Sequence, residues 1–166
     1  MSTNSGLTPP SRLKRLFSAI DDNEASQVEA LLASHASLDV RDRDGRSPLM
    51  RGVIAGNYDI VRMLLQHGSN VDGQDISGWT ALHFAAQGYD DRIVGMLIDH
   101  GADVNARDGN GNTVLARAVF SSQGCGEVIT LLLSNGADPN IENKNGISAL
   151  KLARSISNYD VGRFFA

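Results

Sequence analysis

Residues 75–86 read DISGWTALHFAA, and the same frame returns as DRDGRSPL at 42–49, DGNGNTVL at 108–115 and NKNGISAL at 143–150. The frames are spaced 33, 33 and 35 residues apart. A second marker follows each of the first three, starting 19, 19 and 21 residues after it: VRMLLQHG at 61–68, VGMLIDHG at 94–101 and ITLLLSNG at 129–136. A period of this length means that the chain is an array of similar supersecondary units, so the repeat is read before any single residue.

Each frame is legible as physical chemistry. Asp or Asn three residues before Gly is turn chemistry, with the glycine free to take positive φ. Ser47, Thr80, Thr113 and Ser148 stand just before apolar runs, where a hydroxyl can accept the unpaired N–H groups of a helix start. In the second marker the apolar residues fall at i, i+3 and i+4, as in Val61, Leu64 and Leu65, and so form one stripe along a helix. Gly68, Gly101 and Gly136 then close those helices in the left-handed region. A pair of short helices cannot cover its own apolar face; stacked neighbours can.

The motif residues resemble the ankyrin repeat family, whose hallmark is a Thr-Pro-Leu-His-x-Ala stretch. Thr80, Leu82, His83 and Ala85, with Gly101 to Asn105, match it best. The resemblance runs from about residue 9 onward. It implies an all-α solenoid of helix-turn-helix units joined by β-turn or hairpin tips, about five repeats with atypical units at both ends.

Stepping back by the same period gives a single domain over 9–166, divided into units 9–41, 42–74, 75–107, 108–142 and 143–166, after an unstructured segment 1–8. In the first unit Leu16, Ala19, Val28, Leu31 and Leu32 fill the core slots, and His35 replaces the capping glycine. Arg12, Lys14, Arg15, Asp21 and Asp22 make its first helix polar, as an end cap requires. The last unit stops within its second helix, where Phe164 and Phe165 close the core. The period breaks only at 120–126, where the fourth unit carries two extra residues.

Composition limits the function classes. Of 166 residues, 42% are hydrophobic and 20% charged, which describes a folded chain. Fifteen Lys and Arg against nineteen Asp and Glu leave a net charge of −4, which argues against nucleic acid. No membrane-spanning run, secretory signal or lipidation motif is apparent, and Cys125 has no internal disulfide partner, so the expectation is a cytoplasmic location; the free chain is expected to be a monomer.

No constellation points to catalysis. The 108–112 turn has alternating polar groups, but Thr113 and Val119 stand where a calcium loop needs Gly and Glu. His83 occupies the family's buried histidine slot, whereas His67 and His100 precede capping glycines and face solvent. Cys125 lies in a Gly/Ser loop with no base beside it and reads as a bystander thiol. Neither a cofactor nor a metal is expected, and the protein is not expected to be an enzyme.

What remains is a surface. The family resemblance implies a concave strip formed by the turn tips and the first helices. Carried over position by position, it comprises Arg43, Asp44, Arg46, Ile76, Ser77, Trp79, Gly109, Asn110, Asn112, Lys144, Asn145 and Ile147 from the turns, and Ile54, Gln87 and Phe120 from the helices. Arg51 and Arg117 replace the usual apolar residue two units apart, with Phe84 between them. Trp79, the sole tryptophan, reads either as an exposed anchor beside Ile76 or as a ring lying over the next turn. The ending SALKLARSISNYDVGRFF, residues 148–165, is similar to the C-termini of bacterial ankyrin proteins among the immunity proteins of polymorphic toxin systems. That likeness implies an inhibitor that occludes a cognate toxin. The alternative is a general scaffold or regulatory adaptor that joins several proteins.

Overall fold

The computed structural model describes residues 9–34, 37–156 and 160–165, with side chains from Lys14 onward. The segment expected to be unstructured, 1–8, and the His35 substitution lie outside the described residues. The described residues form nine α-helices and one short 3-10 helix, with no strand longer than an isolated bridge. The helices are α1 Pro9–Asp21, α2 Ala25–Ala33, α3 Pro48–Ile54, α4 Tyr58–Gln66, α5 Ala81–Gly88, α6 Asp91–Asp99, α7 Val114–Ser121, α8 Glu127–Ser134 and α9 Ala149–Ser155.

The odd-numbered helices pack side by side as one layer, and α2, α4, α6 and α8 pack as a second layer behind them. This is the expected helical repeat solenoid. The core runs between the layers: Leu16, Leu49, Leu82 and Leu115 of the inner helices meet Val28, Val61, Val94 and Ile129 of the outer ones, all essentially inaccessible. Each pair is fully covered only by its neighbours, which is why the repeats hold one another in place.

The helix starts are built as the sequence predicts. The hydroxyls of Ser47, Thr80, Thr113 and Ser148 accept from the N–H three residues on, at 3.2, 3.4, 3.2 and 3.2 Å, and all four are buried. The ends of α4, α6 and α8 share one motif. Ser69, Ala102 and Ala137 N–H donate to Leu64, Leu97 and Leu132 carbonyls, while Gly68, Gly101 and Gly136 take φ of +82°, +85° and +88°. These are Schellman closures with glycine as the left-handed residue.

Between units, each turn folds into a finger. Oδ1 of Asp42 accepts from the N–H groups of Asp44 and Arg46; Asp75, Asp108 and Asn143 do the same for their own fingers, all at 2.8–3.0 Å. Adjacent fingers are linked tip to tip. Ile76, Gly109 and Lys144 N–H donate to the carbonyls of Asp44, Ser77 and Asn110 at 3.1, 2.8 and 3.0 Å. Gly78, at φ +78°, faces the next finger so closely that a Cβ there would stand 2.6 Å from Gly109 N.

Two expectations need correction. Among the described residues the last unit does not close on a second α-helix: Val161–Phe165 forms a 3-10 helix. Val161 is fully buried there, and the Phe164 ring lies on Gly126, closing the end of the core. Leu31 is only partly buried, while Ile20, in register with the buried Val53, Ala86 and Val119, fills a core slot that the sequence reading left out.

Candidate functional site

The strip residues divide by depth. At the finger tips, Arg43, Asp44, Ile76, Ser77, Asn110 and Lys144 are all exposed, Ile76 to 77%. Gln87 and Phe120 sit one above the other on the inner helices, also exposed, Phe120 to 70%. These positions form the accessible rim of the face.

Below the tips lies an interlocked row. The Phe84 and Trp79 rings meet at 4.9 Å, tilted 49°. The Arg117 guanidinium lies over the indole at 4.3 Å, and that of Arg46 lies 5.5 Å from the Phe84 centroid. The order Arg46, Phe84, Trp79, Arg117 therefore places two touching rings between two cations across three units. It also accounts for the buried Nε atoms of Arg46 and Arg117, which have no hydrogen-bond partner: each belongs to a guanidinium laid against a ring. Trp79 is thus half-buried beneath Arg117, with its ring packed against the neighbouring unit.

Arg51 and Arg117 are likewise committed within the protein. Arg117 Nη2 donates to Asp108 Oδ2 at 3.1 Å, and the Asp108 side chain is only 1% exposed. Burial alone would raise the Asp108 carboxyl, but hydrogen bonds from Asn112, Asn110 and Arg117 together hold it below its ordinary value. Arg51 pairs with Asp21 and, at 3.5 Å, with Asp42. The hydrogen bond to Asp21 is the main reason the guanidinium is held more firmly protonated than usual.

Asn112 and His83 tie the row to the next unit. His83 Nδ1 accepts from the Thr80 N–H at 3.2 Å, which leaves Nε2–H to donate to the Asn112 carbonyl at 3.4 Å. Burial lowers the His83 pKa, so the neutral ring is the working form. The Asn112 side-chain oxygen accepts from Asn143 at 2.7 Å. These are structural bonds, as the family's histidine slot implies.

The sequence reading missed the first helix's share of the face. Lys14, Phe17, Asp21 and Arg41 join Arg43 and Arg51 around a depression of about 540 Å³. Asp21 takes the slot of Ile54, Gln87 and Phe120 one period earlier, a signal that was present in the register. Taken alone it is one more charge on a polar first helix, because its partner lies thirty residues away.

On the opposite side, the insertion is anchored by Tyr89, whose hydroxyl donates to the Cys125 carbonyl. Burial and the nearby Glu127 charge push the phenol up to about 12. Cys125 is exposed. Among the described residues no three His, Cys, Asp or Glu side chains converge, and no helix is long and apolar enough to cross a membrane.

Comparison with known proteins gives the same architecture. A family model for ankyrin repeats, in three copies, matches residues 11–75 and 69–143. Among relatives, the mouse B-cell lymphoma 3 protein homolog is 39% identical over 75 residues, 45% of this chain and 17% of that protein. Zebrafish inversin is 34% identical over 78 residues, 47% and 8% of the respective chains. The Arabidopsis thaliana potassium channel AKT2/3 is 32% identical over 79 residues, 48% and 10%. The chain thus spans well under a fifth of the length of these relatives. With the matched residues covering most of its length, the chain belongs to the ankyrin repeat family, a non-catalytic fold that binds other proteins.

Proposed function

We propose that this ankyrin array binds one protein partner across its finger face, through the exposed tips and the outer turns of the inner helices. One observation carries the reading. The two framework positions of every finger repeat, Asp or Asn followed three residues later by Gly, whereas the two exposed tip positions between them differ: Arg43 and Asp44, Ile76 and Ser77, Gly109 and Asn110, Lys144 and Asn145. Identical geometry thus presents different chemistry at each step, and an isoleucine at a turn tip is left 77% exposed. A standard complex buries about 800 Å² on each partner, which a few adjacent fingers and helices supply. A rigid base loses little conformational freedom on docking.

The finer reading is inhibition by occlusion: the face covers the working surface of a cognate toxin or effector, and no reaction is carried out on it. The likeness of residues 148–165 to bacterial immunity proteins supports it. A scaffold joining several proteins is the second reading, favoured by relatives in which such arrays form a small part of much longer chains. A pull-down with the tagged chain separates them. One stoichiometric partner, whose activity falls on addition of the chain, supports the inhibitor; a mixed set with unchanged activities supports the scaffold.

A further inference from the structure

The net charge of −4 conceals a strong polarity. Of the fifteen Lys and Arg, twelve fall in the fingers and inner helices, and only Arg62, Arg92 and Arg163 lie elsewhere. Of the nineteen Asp and Glu, only six fall in the fingers and inner helices, and thirteen lie on the outer helices and their connecting loops. The two sides of the slab therefore carry opposite charge, the finger side positive.

The carboxylates on the finger side are largely consumed. Asp42, Asp75 and Asp108 each spend one oxygen on finger N–H groups and turn the other toward Arg51, Arg46 and Arg117. Arg41, Arg43, Arg107 and Lys144, by contrast, have no carboxylate within 4 Å among the described residues. They are spread over the first, third and fourth fingers. Ile54, Ile76, Phe120 and Ile147 are exposed on the same side.

We propose that the finger face selects a protein whose docking surface is net acidic and carries apolar side chains to meet those four residues. The inference rests on the finger face being the binding surface, and it adds the chemistry of the partner. Opposed fields steer encounter and reject wrong partners, and they weaken with salt. A polynucleotide fits less well: apolar residues interrupt the cations, and the strongly acidic reverse side repels a chain long enough to wrap.

The test uses the full chain and labelled peptides of equal length and equal Leu and Phe content, one rich in Glu and one rich in Lys, with a single-stranded oligothymidylate of matching length. Anisotropy at low salt should show the Glu-rich peptide binding on the order of tenfold tighter than the Lys-rich one, with the difference shrinking as salt is added. Arg43→Glu with Lys144→Glu should abolish the preference, and Arg62→Glu with Arg92→Glu should leave it intact; circular dichroism checks that both stay folded. Equal or tighter binding of the Lys-rich peptide, binding of the oligothymidylate as tight as that of the Glu-rich peptide, or no binding of any of them overturns the charge assignment. A Glu preference lost with Arg62 and Arg92 but kept without Arg43 and Lys144 overturns the finger face itself as the binding surface.

Discussion

Trp79 and Ile76 stand three residues apart in one finger and have different physical roles. Ile76 projects into solvent, so Ile76→Ala should leave the melting temperature unchanged and weaken the complex by about 1–2 kcal/mol, measured by calorimetry on the captured partner. Trp79 is packed on Phe84 beneath Arg117, so Trp79→Ala should cost about 1–2 kcal/mol of folding stability in a urea titration. Arg117→Ala leaves the nearly inaccessible Asp108 carboxylate without its cation and should cost about 1–3 kcal/mol. His83 gives a pH signature. Its folded pKa lies below the ordinary 6.5, so the unfolded chain binds more protons as pH falls through that value, and stability falls with it. The melting temperature should drop between about pH 7.5 and about pH 5.5, and His83→Gln should flatten that slope. An unchanged slope in the variant would place the titrating group elsewhere.

At the scale of elements, the fingers and helix ends were legible because their determinants are local: a carboxylate bonding N–H groups two and four residues on, a hydroxyl three residues before the N–H it caps, a glycine at a fixed distance after a stripe. What the sequence did not disclose depends on contacts between units. The burial of Trp79 follows from Phe84 in its own unit and Arg117 in the next, and the Arg51–Asp21 pair joins different repeats. Two glycines separate local from inter-unit requirements. Gly101→Ala meets open space, so its cost is the left-handed backbone alone, about 1–2 kcal/mol. Gly78→Ala adds a collision with the backbone of the next finger and should cost distinctly more. Equal losses for the two in denaturant titrations would mean that the fingers do not abut. Tyr89 shows the reverse economy: a non-glycine residue held at φ +55° so that its hydroxyl reaches the insertion. Tyr89→Phe should therefore destabilise by about 1 kcal/mol and speed amide exchange at 122–126.

Over the whole molecule, repetition produces both stability and function. Neighbouring helix pairs bury one another's apolar faces, and the same stacking sets the fingers in a row whose framework is constant and whose tips vary. The central claim is that this row, and not the outer helices or the insertion, meets the partner. Hydrogen exchange of the chain with and without the captured protein tests it most directly. Slowed exchange should appear in the fingers at 41–46, 74–79, 107–112 and 142–147, with α4, α6 and α8 unchanged. Protection confined to those outer helices, or to residues 122–126, would contradict the account.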